Sequence, residues 1–270
     1  MTPSKKTVIA FDLYGTLLST ESIADELAKH HGSDAAKSLA ALWRRYQLEY
    51  TWRINSMGEY KPFNELTLNA LHHAAAEHGV TVSPDAAEAL MRSYDALHTF
   101  PEVPGALDLL NSHSHSHSRS DPTSPDPAST SQGEVEAYIF SNGTDAMVGN
   151  SVRTSPDLAS HLSPHHHHHH HHHTFKALIT VDELRCYKPD PRVYKHLVER
   201  TGMMGPGGEA DVWVVSANPF DIVGTRAAGL NAAFVDRSGR GWVDRLDGTR
   251  EPTVVVGGVD EAVRAILDRS

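Results

Sequence analysis

The chain has little of three features that would assign it to whole classes of protein. It contains one cysteine, Cys186, in 270 residues, which excludes a disulfide within the chain and is typical of a reducing compartment. It has no apolar run of about 18 residues, which a membrane-spanning helix requires. It has no basic excess either, because the net charge is −10 with histidine neutral, and this disfavours nucleic acid or anionic membrane as partners.

The amino terminus also lacks the features of a signal peptide. Residues 1–6 are mostly polar, and the apolar run that follows is short. We therefore expect a soluble, cytoplasmic protein. Its length and its hydrophobic content of 39% suit one large domain, or a core with a smaller inserted domain. A small anionic substrate is compatible with the negative charge, since a pocket can oppose the overall sign.

Short apolar runs that alternate with helical patterns indicate the fold class. The first run, residues 7–11, is rich in β-branched residues and predicts a buried strand, with Asp12 at its carboxyl end. From residue 135 onward the alternation predicts a doubly wound parallel sheet, a Rossmann-like α/β core. The later strands are predicted at 135–140, 177–181, 211–215, 232–235 and 253–256, and helices are predicted to begin near Gly143, Pro191, Pro219 and Asp260.

Residues 20–100 have a different pattern. Apolar side chains recur at helical spacing, Gly79 is placed to end a helix, and Ser83-Pro84 is typical of a helix start. No strand is predicted there. The sequence therefore predicts an α-helical cap at 20–100, inserted into a catalytic core formed by 1–19 and 101–270.

Two low-complexity inserts interrupt the predicted core, at about 111–133 and 155–174. The first is rich in serine, histidine, proline and aspartate, and the second contains nine consecutive histidines, His165–His173. We expect mobile loops that supply no core. Histidines bind transition metals, but a homopolymer in a loop lacks the fixed geometry of a defined site. We therefore predict no metal ligands and no cofactor, and a non-enzymatic, histidine-rich metal-binding protein is kept as an alternative.

Four polar motifs lie at or near predicted strand ends: Asp12 with Thr16, Ser141-Asn142-Gly143, Lys188-Pro189, and Ser216–Asp221. The carboxyl ends of parallel strands share one edge of a sheet, so these motifs are expected to converge on one site. Each has an ordinary structural explanation when taken alone, such as a helix cap or a turn. Their combination favours a catalytic site.

The residue types suggest covalent catalysis by a carboxylate. Asp12 stays ionised at neutral pH and is a candidate nucleophile, and a nearby lysine, Lys188, would hold its charge and orient it. Asp221 could position or deprotonate a water molecule. Hydrogen bonds to an anionic ligand could come from Ser141, Asn142 and Ser216.

These motifs, with Tyr187-Lys188-Pro189 as the third, resemble the haloacid dehalogenase superfamily, and residues 42–52 look like the cap of the type II (S)-2-haloacid dehalogenases. The resemblance covers most of the chain outside the two inserts. It implies that Asp12 attacks C2 of a short 2-haloalkanoate and expels halide, forming an ester. Water, assisted by Asp221 and Lys188, then hydrolyses this ester, so that an (S)-2-haloacid gives an (R)-2-hydroxyacid.

Tyr14 distinguishes between branches of the superfamily. Phosphatase members resemble Asp-x-Asp, in which the second aspartate is a general acid and a Mg²⁺ partner, and they carry acidic ligands where this chain has Ser216 and Asn218. Halide needs no protonation to leave, whereas phosphoester cleavage usually needs the metal and the acid. The departure favours metal-free dehalogenation. A Mg²⁺-dependent, phosphatase-like member of the superfamily is the alternative.

The resemblance also implies roles for the remaining site residues. Arg44 and Asn142 would bind the leaving halide, and Ser141 and Lys188 the substrate carboxylate. Thr16, Ser216 and Asn218 would orient Asp12, Lys188 and the water, Tyr194 matches a polar site residue, and Tyr14, Leu48, Phe63 and Phe220 would form an apolar wall.

Three further points rest on the same resemblance. Arg44 is chosen over its neighbour Arg45 by the match alone, since most helical arginines are solvated or form surface ion pairs. Arg45 and Phe220 stand where relatives often have glutamine and tryptophan, which bears on substrate range. Dimerisation through the helical region is implied as well.

Overall fold

The computed structural model describes residues 6–31, 33–118, 133–161, 174–205 and 207–270. Within these ranges the chain forms one six-stranded sheet, in which every pair of neighbouring strands is parallel. The strands are β1 (Lys6–Phe11), β2 (Glu134–Ser141), β3 (Phe175–Thr180), β4 (Val212–Ser216), β5 (Asn231–Val235) and β6 (Val254–Val256). All six strands lie within about two residues of the positions predicted from the sequence, which confirms the fold class.

The strand order β3-β2-β1-β4-β5-β6 places β1 at the centre of the sheet. From Thr7 to Phe11 the strand is buried, and β4 is buried throughout. Such continuous apolar strands are typical of parallel sheets that are covered on both faces. The order changes direction between β1 and β4, and a crevice forms at the carboxyl ends of strands at such a switch point. Asp12 and Ser216 lie at this position.

The helices of the described ranges are α1 (Glu21–His31), α2 (Ser33–Ser56), α3 (Phe63–Glu77), α4 (Pro84–Ser93), α5 (Val103–Ser118), α6 (Asp145–Thr154), α7 (Pro191–Arg200), α8 (Pro219–Ala227) and α9 (Val259–Leu267). The helix starts at Pro191 and Pro219 are as predicted, and the Ser83 hydroxyl caps α4 by accepting the Ala86 N–H at 3.2 Å. None of these helices has the length and apolarity needed to cross a membrane.

Helices α1 to α4 occupy the region predicted to be helical, between β1 and the rest of the sheet strands. Buried side chains such as Trp43, whose indole N–H donates to the Thr67 carbonyl at 2.8 Å, hold α2 against α3. The two segments that join this region to the sheet run side by side. The Ser19 N–H donates to His98 at 2.8 Å and the Phe100 N–H donates to Leu17 at 3.1 Å.

Both predicted inserts need correction. Helix α5 extends to Ser118, into the segment 111–133 that was predicted to be a loop. The hydroxyls of Ser112 and Ser114 donate to the carbonyls four residues earlier, so these side chains are hydrogen-bonded within the helix. In 155–174, Leu158 is fully buried, so this segment does contribute to the core. Residues 119–132 and 162–173, with the nine histidines, lie outside the described ranges.

Candidate active site

Asp12 lies directly after β1, and its side chain is 10% exposed. Its N–H donates to the Val215 carbonyl at 3.0 Å, which ties the end of β1 to β4. The chain then turns sharply at Gly15, whose φ of 84° is readily adopted only by glycine. This turn brings the Thr16 hydroxyl back to Asp12 Oδ2, to which it donates at 2.9 Å.

The loop after β4 provides a second donor to the same oxygen. Asn218 Nδ2 donates to Asp12 Oδ2 at 2.7 Å. The loop is held by two further bonds, from the Asn218 N–H to the Ser216 hydroxyl at 3.1 Å and from the Ala217 N–H to the Thr16 hydroxyl at 3.0 Å. Thr16 and Asn218 therefore contact the carboxylate directly, and Ser216 holds the loop that carries Asn218.

Lys188 lies against the other oxygen of Asp12. Its Nζ is 3.3 Å from Asp12 Oδ1, 2.8 Å from Asp221 Oδ2 and 2.9 Å from the Phe140 carbonyl. An ammonium group has three N–H donors, so these three oxygens satisfy it. The residue is only 1% exposed. A buried lysine between two carboxylates has the compensation that a buried charge requires.

Asp221, in the first turn of α8, is fully buried. The Tyr194 hydroxyl donates to its Oδ1 at 2.9 Å. Burial raises the pKa of Asp221, the Lys188 ammonium lowers it, and the negative charge of Asp12 raises it again, so that the pKa lies above the ordinary value. A carboxylate with a raised pKa is a stronger base, which suits the activation of water.

A pocket that is partly open to solvent lies above Asp12. All of its lining residues are among the site residues predicted from the sequence. They are Asp12, Tyr14, Arg44, Leu48, Phe63, Ser141, Asn142, Asn218 and Phe220. The other predicted residues, Thr16, Lys188, Tyr194, Ser216 and Asp221, lie beneath Asp12 and are buried. The structure thus brings all the predicted residues together, in two layers.

Arg44 extends from α2 across the pocket. Its Nη2 donates to the Tyr14 carbonyl at 3.3 Å and to Asn218 Oδ1 at 3.4 Å. The neighbouring Arg45 is exposed, and its guanidinium lies over the Tyr46 ring. Of the two arginines, Arg44 lines the pocket and Arg45 does not.

Asn142 and Ser141 face the pocket from the end of β2. Asn142 Oδ1 accepts the Lys188 N–H at 2.9 Å, and among the described residues no acceptor contacts the amide NH₂ of Asn142. This NH₂ is therefore free to donate to a ligand. Ser141 Oγ accepts the Gly143 N–H at 3.1 Å, so its hydroxyl hydrogen can point elsewhere. With Arg44 opposite, the pocket presents cationic and amide donors that fit a small anion.

Tyr14, two residues after Asp12, forms part of the wall of the pocket. Its ring stacks on Phe63 at a centroid distance of 6.4 Å and meets Tyr94 edge-on at 5.7 Å. Its hydroxyl is 2.8 Å from the hydroxyl of Ser151, which itself donates to the Tyr94 carbonyl. Tyr14 therefore donates to Ser151 and faces away from the carboxylate.

Several residues that support the site are not apparent from the sequence. Gln47 is fully buried, accepts a hydrogen bond from Arg44 Nη1 and donates to the Thr67 hydroxyl at 2.7 Å. The only local signal is its position three residues after Arg44, within an apolar helix face. The contact with Thr67, on another helix, could not be predicted from it.

Arg237, just after β5, supports the turn that follows Asp12. Its guanidinium donates to the carbonyls of Gly15 at 3.2 Å and Thr16 at 2.7 Å, and it pairs with Glu102 at 2.6 Å. An arginine after a predicted strand is a weak signal for this role. Its bonds fix the backbone of the residue that orients Asp12.

Comparisons with known proteins agree with this architecture. The chain is 31% identical over 248 residues to haloacetate dehalogenase H-2 of Moraxella sp. (strain B), covering 92% of this chain and 93% of the relative. It is 30% identical over 227 residues to (S)-2-haloacid dehalogenase 1 of Pseudomonas sp. (strain CBS-3), covering 84% and 83%. A solved dehalogenase with an intermediate complex has a TM-score of 0.76 at 25% identity, over 98% of both chains. No protein-family model matches the chain.

A parallel sheet with a lysine-paired aspartate at its switch point is the architecture of the haloacid dehalogenase superfamily, a class of hydrolases. Within that class, the chain belongs to the family of the (S)-2-haloacid dehalogenases.

Proposed function

We propose that the protein hydrolyses short (S)-2-haloalkanoic acids to (R)-2-hydroxyacids through an ester on Asp12. The observation that carries this proposal is the position of Asp12 between two sets of groups. Beneath it lie Lys188 and Asp221, and above it a pocket holds Arg44 and the Asn142 amide. The curated relatives named as dehalogenases of haloacetate and (S)-2-haloacids support the substrate class.

The first step is a displacement at carbon. The Asp12 carboxylate forms a bond to C2 of the substrate, and the carbon–halogen bond breaks with its electron pair on the halide. No proton is needed, because halide is a stable leaving anion. Arg44 and the Asn142 NH₂ line the pocket and receive the charge as it develops. The displacement inverts C2, which accounts for the (R) product.

The second step is hydrolysis of the ester. Water attacks the Asp12 carbonyl carbon while Asp221 accepts its proton. With Oδ1 bonded to C2, the carbonyl oxygen is Oδ2, and the negative charge that develops on it is stabilised by donors already in place, from Thr16 and Asn218. The bond between the carbonyl carbon and Oδ1 then breaks, and the leaving alkoxide takes the proton that remained on the oxygen from water. The Asp12 carboxylate is thereby restored, and Asp221 releases the proton it accepted to solvent.

The two steps are electrostatically linked. The negative charge of Asp12 raises the pKa of Asp221 in the free enzyme. Forming the ester removes this charge, while Lys188 stays in contact with Asp221 at 2.8 Å. The pKa of Asp221 therefore falls at the stage when its ionised form is needed as the base.

The groups around Asp12 favour a reaction without metal over the Mg²⁺-dependent alternative. Hydroxyl, amide and ammonium donors contact its oxygens, and Lys188 supplies a cation between Asp12 and Asp221. In the described ranges no group of three or more histidine, cysteine, aspartate or glutamate side chains is arranged to hold a metal ion. The donor set is suited to binding anions.

We further propose that the enzyme acts in the cytoplasm as a homodimer, with α1–α4 as a cap over the sheet edge. The single cysteine supports a reducing compartment, and the net charge of −10 disfavours nucleic acid and membranes as partners. Sedimentation of the purified protein tests the dimer, with a monomer as the contrary result.

The proposed reaction is tested by halide release from (S)-2-chloropropionate and chloroacetate in EDTA. A single turnover in H₂¹⁸O sharpens the test, because attack of water on the ester places ¹⁸O in the Asp12 carboxylate before it reaches product. We expect labelled Asp12 by mass spectrometry and an (R)-hydroxyacid product. If the product of that first turnover carried ¹⁸O and Asp12 did not, the result would contradict an ester intermediate on Asp12. Phosphate release that requires Mg²⁺, without halide release, would support the phosphatase alternative.

A further inference from the structure

The main chain that carries Lys188 is held by a residue from the opposite side of the pocket. Asn55 lies near the carboxyl end of α2 and makes two hydrogen bonds to Tyr187. Its Nδ2 donates to the Tyr187 carbonyl at 2.7 Å, and its Oδ1 accepts the Tyr187 N–H at 2.9 Å. One side-chain amide thus satisfies both backbone groups of the residue before Lys188.

These bonds act on the peptide group that begins Lys188. The Tyr187 carbonyl and the Lys188 N–H belong to the same planar peptide unit. Asn55 holds its oxygen, and Asn142 accepts its N–H at 2.9 Å. With both ends held, the peptide plane cannot rotate without losing a hydrogen bond, so the direction in which the lysine side chain leaves the backbone is defined.

Asn55 is itself well positioned. Its carbonyl accepts the Gly58 N–H at 3.0 Å, in a turn where Gly58 has a φ of 68° and ends the helix. Next to it, Ile54 is buried in the core. On the other side, the Tyr187 ring is fully buried and stacks on Tyr60 at 5.4 Å. The amide bridge therefore joins two ordered segments.

We infer that Asn55 is a positioning residue for Lys188, and that it couples the helix carrying Arg44 to the lysine beneath Asp12. Arg44 and Leu48 line the pocket from this same helix α2. A substrate that contacts Arg44 therefore contacts helix α2, and the carboxyl end of this helix is hydrogen-bonded to the peptide group that begins Lys188. The kinetic consequences of this inference rest on the proposed function. The positioning of Lys188 by Asn55 can be measured independently of any catalytic activity.

The sharpest test replaces Asn55 by aspartate. In Asn55→Asp one carboxylate oxygen can still accept the Tyr187 N–H, but the other faces the Tyr187 carbonyl, where repulsion replaces a bond. Protonation restores a donor at that place. We expect kcat to be roughly tenfold below that of the wild type at neutral pH, with little change in KM, and the ratio of the two kcat values to recover partly as the pH is lowered. Asn55→Ala should lose a similar factor at every pH, because nothing in it titrates.

The matched control is Asn64→Asp, which makes the same charge change at an exposed position of α3 and should keep the wild-type pH profile. A neutral-pH kcat of Asn55→Asp equal to wild type would overturn the inference. So would pH profiles of Asn55→Asp and Asn55→Ala that coincide, since a merely structural role predicts no titration.

A second measurement separates this inference from the proposed reaction. The ¹⁵N resonance of the buried Lys188 ammonium reports its contacts directly. We expect it to shift in Asn55→Ala and to stay unchanged in Asn64→Asp. A shift in a protein that releases no halide would leave the positioning role standing and reject only the proposed reaction. An unshifted resonance would reject the positioning role whatever the activity.

Discussion

The sheet side of the pocket is a closed network of buried charges, whereas the side formed by α2 and α3 is mostly apolar and carries one cation. On the sheet side, Lys188 and Asp221 are almost fully buried, and most of their polar contacts are 2.8–2.9 Å long. On the helical side, Arg44 is half-buried and contacts the sheet loops only at 3.3 and 3.4 Å.

This difference separates two kinds of function. Short, desolvated, charge-assisted bonds hold reacting groups in one geometry, as chemical steps require. Longer contacts on an apolar wall can adjust to ligands of different size and mainly affect binding. We therefore expect substitutions beneath Asp12, or of residues such as Asn55 that hold those groups in place, to lower kcat. Substitutions of the side chains that line the pocket from α2, α3 and the rim should change KM and specificity. The following predictions test this division.

The largest effect is expected for Asp12. Asp12→Ala and Asp12→Asn should both lower halide release by about 10⁴-fold or more, because neither can form the ester. The Lys188 ammonium keeps its 2.8 Å bond to Asp221, so the fold should persist. Halide release measures the first result and thermal unfolding the second. Undiminished turnover by a folded Asp12→Ala enzyme would contradict covalent catalysis by this residue.

Asp221→Asn should be next in effect, and it should separate the two steps. An amide at this position cannot accept a proton from water, so ester hydrolysis should slow by roughly 10²–10⁴-fold. Ester formation should persist, giving a burst of halide of about one per enzyme and an adduct on Asp12 visible by mass spectrometry. Asp268→Asn, at an exposed position after α9, is the control. Slow turnover without a burst or an adduct would place Asp221 in the first step instead.

The same residue predicts the pH dependence. Burial raises the pKa of Asp221, and the base must be ionised to accept a proton. Activity should therefore fall as the pH drops through a value above the ordinary range of an aspartate. Ester formation needs no base, so the acid limb set by Asp221 belongs to hydrolysis of the ester. Because the ester has removed the charge of Asp12, this limb should lie at a lower pH than the titration of Asp221 in the free enzyme. Single-turnover rates against pH check this: the rate of hydrolysis should show the limb, and the rate of ester formation should not.

On the helical side, Arg44→Lys should raise KM roughly tenfold and lower kcat less. Lysine keeps the charge but loses the fork with which arginine contacts Tyr14, Gln47 and Asn218 at once. Steady-state kinetics with (S)-2-chloropropionate measures the two constants. Arg45→Lys, one residue further along α2 and exposed, should behave as wild type. If kcat fell while KM stayed constant, Arg44 would belong with the chemical groups beneath Asp12.

The two sides also differ in how far they could be predicted from the sequence. The strands are continuous apolar runs, and the reacting residues follow the ends of strands. The sheet and the motifs at its edge can therefore both be predicted from short stretches of sequence. Gln47 and Asn55 could not be found in this way. Their partners, Thr67 and Tyr187, lie on other elements, and nothing within α2 indicates what its inner face or its end contacts.

Composition alone was misleading at the first insert. The Ser-His repeat after Leu110 predicts a loop, yet α5 extends through it to Ser118, and the hydroxyls of Ser112 and Ser114 bond back to carbonyls of the preceding turn. A low-complexity segment of this kind contains few apolar residues. A helix on the surface of a domain needs few apolar residues, so the composition does not exclude a helix. The boundary of the core at this point therefore required the three-dimensional structure.

The smallest effect is expected at the rim of the pocket, at Phe220. This residue is half-buried, lines the pocket and meets Trp52 of α2 edge-on at 5.5 Å, so it spans from the sheet side to the helical side. Phenylalanine has a smaller ring than tryptophan and leaves more room in the pocket. We expect Phe220→Trp to lower kcat/KM for (S)-2-chlorobutyrate by about tenfold, the lower end of what one methylene group is worth in an apolar pocket. Chloroacetate has no side chain at C2, so its kcat/KM should stay constant in the same variant and serves as the control. An equal loss of kcat/KM on both substrates would show that Phe220 affects the reacting groups themselves. The rim would then belong with the residues beneath Asp12 that control the chemical steps.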